Sequence, residues 1–235
     1  MIDLHFTPTP NGQKVSIGLE EVGLPYNLIN YDIFEGEQHT AEFGRINPNH
    51  KLPAIVDLDP DFDGGPFAVF ESGAILQYIA EKTGKLLPKG PRERSLAIQW
   101  LTWQMASLGP MGGQWAHFTR YASEEVPYAI NRYTKEWERL LKVLERRLGE
   151  AEYLAGDEYS IADIAVWPMR AFGIDPDLYP NTHRWSAEIA KRPAVKRGRE
   201  AEKRIPPKYM QAKAVLSPTE WSNLFGERML KAVEL

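Results

Sequence analysis

Three short loops carry the side chains with the clearest chemical potential in this 235-residue chain. The first is the turn TPTPNG at residues 7–12, which separates an apolar run from a helical pattern. Backbone amides at the start of a helix carry the positive end of its dipole and stabilise an anion. Thr9 adds a hydroxyl and Asn11 a side-chain amide with N–H donors. We interpret Thr9 and Asn11 as candidate catalytic residues at an anion site; the alternative is a helix cap on a proline-rich turn.

The second loop, NPNHKLP at residues 47–53, leads directly into the apolar run Ala54–Val56. If the bond between Leu52 and Pro53 is cis, the amide and carbonyl of Leu52 turn outward and can pair with an extended ligand. The alternative is an ordinary proline at the start of a strand.

The third loop places Glu71 and Ser72 between an apolar run and a helical pattern. Ser72 as an N-cap leaves its hydroxyl and the following amides able to hold a carboxylate, and Glu71 can bind an ammonium. Together they would form a receptor for an α-amino-acid head group. The alternative is a serine cap beside an acidic residue that the helix dipole favours.

Cysteine is absent from the chain, which excludes disulfides, thiolate metal ligands and a cysteine nucleophile. Any thiol chemistry must therefore use a thiol that the substrate supplies. The five histidines show no HxH or HxxxH spacing, so we expect no metal site.

The elements that position these loops change in type along the chain. Strands and helices alternate as β-α-β and then β-β-α, which predicts a thioredoxin-like domain. The predicted elements are strand Ile2–Phe6, helix Gly12–Val22, strand Tyr26–Tyr31, strands Ala54–Val56 and Phe67–Phe70, and helix Ser72–Thr83. Beyond them the strands stop, and the long patterns Arg92–Leu108 and Tyr128–Leu148 predict an all-α helical bundle.

Charge supports a domain boundary near Gly84. Residues 1–84 carry 13 acidic and 4 basic side chains, a net charge of −9, which leaves 19 acidic and 24 basic residues, or +5, for the rest. We predict a thioredoxin-like domain over 1–84, a linker over 85–91, and an all-helical domain with a C-terminal extension over 92–235. The extension has helical patterns around Lys208–Val215 and Thr219–Val233, and SIAD at residues 160–163 predicts a capping box.

Composition excludes several classes of protein. With 43% hydrophobic and 26% charged residues, the chain is neither disordered nor fibrous. No segment approaches the ~18 apolar residues of a membrane span, and the start lacks signal-peptide features. We therefore expect a cytoplasmic protein without a membrane partner. The basic residues between 191 and 208 are interrupted by acidic ones, so we expect no nucleic-acid partner.

These loops, in this order on this pair of domains, resemble the cytosolic glutathione transferases over roughly residues 1–200. TPTPNGQK, NPNHKLPAIVD, FESGAILQYIAEKTG and SIADIAVWP are similar to the bacterial nu class, close to its disulfide-bond oxidoreductase members. The resemblance implies the glutathione transferase fold, an α+β thioredoxin-like N-terminal domain plus an all-α helical-bundle C-terminal domain, and a homodimer.

The resemblance also implies roles for individual residues. The bound glutathione thiol would lie at Thr9 and Asn11. The recognition residues would be Leu52 beside Pro53 for the cysteinyl part, Glu71 and Ser72 for the γ-glutamyl end, Gln38 and Lys51 for the glycine carboxylate, and Arg132 for a ligand reached across the dimer. Most transferase classes use a Tyr, Ser or Cys near the first strand; this chain offers Thr9 and Asn11 there.

The activity that the resemblance implies is glutathione-dependent reduction of disulfides, with glutathione as cosubstrate. A bound glutathione thiolate would attack a disulfide or another small electrophile, which requires a thiol pKa lowered from ~8.5 toward ~7. Two alternatives remain open. One is a glutathione-dependent peroxidase or ether-cleaving enzyme, which uses the same thiolate. The other is a non-catalytic glutathione-binding regulatory protein.

Overall fold

A computed structural model of the chain describes residues 1–172, 174–204 and 215–234. The chain forms two compact units, one of Met1–Lys82 with Arg197–Leu235 and one of Thr83–Lys196. Within the described residues, no helix is both long and apolar enough to cross a membrane. The helices, in chain order, are α1 (Pro10–Val22), α2 (Ala41–Ile46), α3 (Ser72–Thr83), α4 (Pro91–Trp103), α5 (Gly109–Ala116), α6 (Pro127–Glu150), α7 (Ile161–Val166), α8 (Pro180–Lys191), α9 (Pro193–Glu200), α10 (Pro218–Phe225) and α11 (Glu227–Ala232).

The first unit contains a four-stranded mixed sheet in the order β2-β1-β3-β4. Its strands are β1 (Ile2–Phe6), β2 (Tyr26–Asn30), β3 (Ala54–Asp57) and β4 (Phe67–Phe70). β1 pairs parallel with β2 and antiparallel with β3, which pairs antiparallel with β4. The predicted βαβ unit followed by an antiparallel hairpin is therefore confirmed.

The ends of α1 follow from local sequence. The Thr9 side chain accepts a hydrogen bond from the Gly12 amide, and Pro10 occupies the first turn, where a missing N–H costs nothing. At the other end, Gly23 adopts φ 78°, the left-handed conformation of a C-cap. The helix therefore begins at the turn where the sequence places the anion site.

Close packing brings the starts of α1 and α3 side by side. A Cβ on Gly18 would lie 2.6 Å from Cδ2 of Leu76 and 3.0 Å from Cδ1 of Ile79, so the approach depends on glycine. Lys14 precedes Gly18 by one helical turn, and Ser72 precedes Leu76 by one turn. The contact at Gly18 therefore brings Lys14 level with Ser72.

The C-terminal segment contacts the sheet-containing part of the first unit at several positions. Arg197 Nε lies 2.7 Å from a carboxylate oxygen of Glu20, and Ser16 Oγ donates to the Gly198 carbonyl at 2.8 Å. Further along, Asn223 Nδ2 donates to the Phe34 carbonyl at 2.6 Å. These bonds explain why Arg197–Leu235 groups with the sheet unit.

The second unit is helical throughout its described secondary structure, apart from an isolated bridge between Tyr153 and Gly156. α6 buries Trp137, Leu140, Leu141, Leu144 and Leu148, the stripe that its spacing predicts. The predicted capping box at the start of α7 is present, formed by Ser160 and Asp163.

Two local predictions need correction. Helix α2 was not predicted, because six residues are too few to show a helical period; its N-cap, Thr40, accepts from the Phe43 amide. The helix predicted around Thr219–Val233 is divided at Gly226 into α10 and α11. Apart from Val215, the helix predicted around Lys208–Val215 lies outside the described residues. The predicted domain limits stay a prediction.

Candidate functional site

The turn before α1 fits closely against the end of β1. Thr9 Oγ1 accepts from the Gly12 amide at 3.3 Å. A Cβ on Gly12 would overlap the Thr7 carbonyl and press on the Phe6 ring, so only glycine fits there. Thr9 is thus a helix cap, as the alternative interpretation held. That bond uses a lone pair, and the hydroxyl hydrogen stays available for an anion at the helix start.

Asn11 is exposed, and its side-chain oxygen is held by a lysine. Oδ1 of Asn11 accepts from Nζ of Lys14 at 2.8 Å, and the same nitrogen lies 3.5 Å from Oγ of Ser72. Lys14 is only 1% exposed. The buried nitrogen of Lys14 therefore connects the first candidate loop to the third.

Burial lowers the pKa of Lys14 to about 7, and the negative charge of Glu71 acts in the opposite direction. The residue type alone does not predict this burial, because an isolated lysine on a helix usually lies in solvent. Lys14 lies one turn before Gly18, on the face that packs against α3, and only the packing of the two helices reveals this.

The second loop is braced by Asn47, which is 1% exposed. Its amide donates to the Lys51 carbonyl at 2.6 Å, and its oxygen accepts from the Asn49 amide at 2.9 Å. The bond between Leu52 and Pro53 is cis. Leu52 itself is half-buried, directly before β3, and Pro53 is buried.

The third loop has an unusual backbone at Glu71. This residue has φ 66°, in the left-handed region, which costs a non-glycine residue about 1–3 kcal/mol and occurs often at functional sites. Its carbonyl accepts from the Ile75 amide, so Ser72 is the first residue of α3 and not its N-cap, contrary to the prediction. Asn49 Nδ2 lies 3.4 Å from Oε1 of Glu71 and joins the second loop to the third.

Lys51 and His39, the residue after Gln38, contact the C-terminal helices. Gln38 is 4% exposed, and its Oε1 finds no hydrogen-bond partner among the described residues. Lys51 Nζ lies 3.1 Å from the sulfur of Met229 on α11, and His39 Nε2 lies 2.8 Å from the Asn223 carbonyl on α10. No motif in the sequence predicts that the C-terminal segment reaches these positions.

Arg132 belongs to the second unit and lies on α6. Its side chain is 54% exposed and makes a 3.7 Å ion pair with Glu136, a carboxylate that Arg139 holds more closely at 2.7 Å. A role for Arg132 in ligand binding stays a prediction.

The histidines of the first unit have structural partners. His5 Nδ1 lies 2.9 Å from the Tyr31 hydroxyl, and His50 Nδ1 lies 2.9 Å from the Gln38 carbonyl. The described part of the chain contains no group of three or more His, Asp or Glu residues that could hold a metal ion.

The chain was compared with models of protein families and with known proteins. The model of the glutathione S-transferase N-terminal domain matches residues 9–82, and that of the C-terminal domain matches residues 127–188. The disulfide-bond oxidoreductase YfcG of Escherichia coli (strain K12) is 51% identical over 199 residues, which covers 83% of this chain and 93% of that protein. The chain belongs to the glutathione transferase family. Its fold is therefore the glutathione transferase fold that the sequence predicts.

Two solved structures of transferases are similar to this family member. A transferase from Burkholderia graminis, with two glutathione molecules bound per subunit, has a TM-score of 0.82 and 45% identity, covering 87% of this chain and 89% of that one. A transferase from Pseudomonas putida, with one glutathione disulfide bound per subunit, has a TM-score of 0.79 and 41% identity, covering 85% and 90%.

Proposed function

We propose that this chain is a glutathione-dependent disulfide-bond reductase. The observation that carries the proposal is the joined pair of helix starts. Thr9 caps α1, and Lys14 links Asn11 on the same helix to Ser72 at the start of α3. Because the chain contains no cysteine, the reacting thiol must come from the ligand. The name of its relative YfcG supports this choice of reaction.

The reaction balances with two molecules of glutathione. The first thiolate attacks one sulfur of the substrate disulfide, forms a mixed disulfide and releases the other sulfur as a thiolate, which takes a proton. A second glutathione thiolate then attacks the glutathione sulfur of the mixed disulfide and releases the remaining substrate thiol. The products are glutathione disulfide and two thiols, so glutathione is oxidised and the substrate is reduced. The two ligand states in the Burkholderia and Pseudomonas proteins support this stoichiometry.

In this proposal the protein contributes stabilisation of the thiolate. The Thr9 hydroxyl and the Asn11 amide donate hydrogen bonds to the sulfur, and the α1 dipole favours its negative charge. Each donor favours the thiolate over the thiol and so lowers the thiol pKa.

The remaining residues recognise the rest of glutathione. The Leu52 backbone, next to Pro53, pairs with the cysteinyl part, as a residue at the start of a strand can. Glu71 binds the γ-glutamyl ammonium and Ser72 its carboxylate. The proximity of Asn49 to Glu71 supports one continuous binding surface across the second and third loops.

The glycine carboxylate binds beside Gln38 and Lys51. Lys51 supplies a positive charge, and Gln38 supplies the N–H donors of its amide, whose nitrogen lies 3.1 Å from His39 Nε2. Arg132 binds a carboxylate of a ligand held by the partner subunit of a homodimer, with charge-assisted hydrogen bonds.

The proposal is tested by titration of the bound thiol. The ultraviolet absorbance of the thiolate, measured against pH with glutathione bound, should give a pKa well below ~8.5 in the wild type. Thr9→Ala and Asn11→Ala should each remove a bond to a charged group, worth about 1.5–3 kcal/mol, and raise this pKa. Their rates of disulfide reduction at neutral pH should fall roughly tenfold to a hundredfold, with part of the loss recovered at higher pH.

Two controls separate thiolate stabilisation from helix capping. Thr9→Ser keeps the hydroxyl and should have little effect. Thr40→Ala removes the N-cap of α2, a bond of the same kind outside the proposed thiol site, and should leave the thiol pKa unchanged. A wild-type thiol that titrates at its free-solution value would refute the proposal, and so would tight glutathione binding without turnover.

A further inference from the structure

Lys14 lies beneath the proposed thiol site without being part of its surface. It is 1% exposed, whereas Asn11, whose oxygen it contacts at 2.8 Å, is exposed. The lysine also lies 3.5 Å from Ser72 Oγ on the neighbouring helix. A single buried nitrogen therefore contacts a residue proposed to bind the thiol and a residue proposed to bind the γ-glutamyl end.

The chemistry of the lysine determines which way the Asn11 amide faces. In its ammonium form, which a bound thiolate favours, Lys14 has three donors and no acceptor, so it can face only the oxygen of an amide. Turning the amide over would place its NH₂ group against the ammonium, which loses the hydrogen bond and sets two donors against each other. With the oxygen held by Lys14, the N–H groups of Asn11 are directed away from the buried nitrogen.

We propose that Lys14 is the positioning residue of the thiol site, which orients the Asn11 amide so that its N–H groups meet the bound sulfur. This inference rests on the proposed function, because it assigns a role within the same site. Without Lys14 the amide can present either its oxygen or its nitrogen, and an oxygen facing a thiolate repels it.

The surroundings of Lys14 favour this role. The carboxylate of Glu71 carries the negative charge that favours its ammonium form, while burial disfavours that form. A bound thiolate would add a second negative charge nearby and strengthen the ammonium form when the ligand is present. Ser72 Oγ keeps the nitrogen close to α3.

The test is Lys14→Met, which keeps an unbranched side chain one atom shorter and removes the donors. We expect the apparent pKa of glutathione bound to the variant to rise by about one unit, roughly a tenfold loss of thiolate at neutral pH. The rate of disulfide reduction should fall by a similar factor at neutral pH and recover at higher pH. Lys14→Leu carries the same expectation and serves if the methionine variant does not fold.

Lys82→Met is the matched control within the same unit. Lys82 is also largely buried in its side chain, at 13% exposure, and pairs with Asp57 at 3.1 Å. Its loss should lower the melting temperature and leave the pKa of the bound thiol unchanged. Equal thiol shifts in the Lys82 and Lys14 variants would overturn the proposal, because a general loss of rigidity would then explain both.

A double-mutant cycle with Asn11→Ala tests whether Lys14 acts through Asn11. If it does, Lys14→Met in the Asn11→Ala background should change the thiol pKa by much less than it does alone. Fully additive shifts would overturn the positioning role, since Lys14 would then act by its charge alone. An unchanged thiol pKa in Lys14→Met, with a shift in Asn11→Ala, would refute the inference and leave the proposed function intact.

Discussion

The charge state of Lys14 predicts a specific dependence of stability on pH. Burial lowers the pKa of this lysine from its usual 10.5 to about 7 in the folded protein. Between these two values the unfolded chain holds a proton at Lys14 that the folded chain, in the absence of glutathione, has released. Stability therefore rises with pH across this range, because raising the pH removes a penalty that only the folded state has.

The expected size follows from these two values. Each pH unit within the range changes the free energy of unfolding by about 1.4 kcal/mol. From pH 7.5 to 9.5, the wild type should gain roughly 2.5 kcal/mol relative to Lys14→Met, which has no proton to release. Other groups that titrate in this range contribute equally to both proteins and cancel in the difference.

The assay is urea unfolding of both proteins at the same concentration and at several pH values between these limits. Lys82→Met is again the control. Burial acts to lower the pKa of Lys82, but its hydrogen bonds and ion pairs with Asp57 and Asp61 raise it, so the stabilising effect of Lys82 is lost only above the usual 10.5. The difference between wild type and the Lys82 variant should therefore stay constant. A constant difference for Lys14→Met as well would show that the buried lysine keeps its proton, and would refute the reasoning.

Three further predictions concern the second unit and the assembly. Arg132→Ala should weaken binding of glutathione disulfide about tenfold to a hundredfold in calorimetry, with the melting temperature unchanged. Arg139→Ala removes another exposed partner of Glu136 and should not weaken binding. An unaltered dissociation constant in Arg132→Ala would show that Arg132 is only a surface charge. Asp163→Ala should lower the free energy of unfolding by at least about 3 kcal/mol. The substitution leaves buried N–H groups of the Leu154 backbone, the Ser160 backbone and the Trp185 ring unpaired. A loss no larger than that of Glu188→Ala, at an exposed site, would contradict this prediction. The net charge is −9 for residues 1–84 and +5 for the rest, which favours a homodimer in which unlike domains face each other. Light scattering at micromolar concentration should give a dimer mass, and a monomer mass would disprove the homodimer.

The sequence alone predicted the order and type of the four strands and of helices α1 and α3 in the sheet unit. β1 and β4 have the predicted bounds, and α1 begins two residues before its predicted start. These features depend on short-range signals, namely apolar runs, a threonine cap and a glycine at the end of the helix. The capping box of Ser160 and Asp163 was predictable for the same reason, because its partners are three residues apart.

Sequence motifs also identified four candidate site residues, each where a strand passes into a helix: Thr9, Asn11, Glu71 and Ser72. The sequence could not show which of their polar side-chain and backbone groups already form hydrogen bonds within the protein. Thr9 caps α1, and Ser72 lies inside α3. Such details depend on the local path of the backbone, which residue types alone leave open.

Only the tertiary structure made Lys14 part of the site and placed the C-terminal helices beside Lys51. Lys14 and Ser72 are 58 positions apart, and Lys51 and Met229 are 178 apart. The burial of Lys14 depends on how closely α1 approaches α3 at Gly18, where a single missing Cβ permits the contact. A charge is desolvated by the atoms that surround it in space, and the identity of those atoms is decided by packing between distant segments.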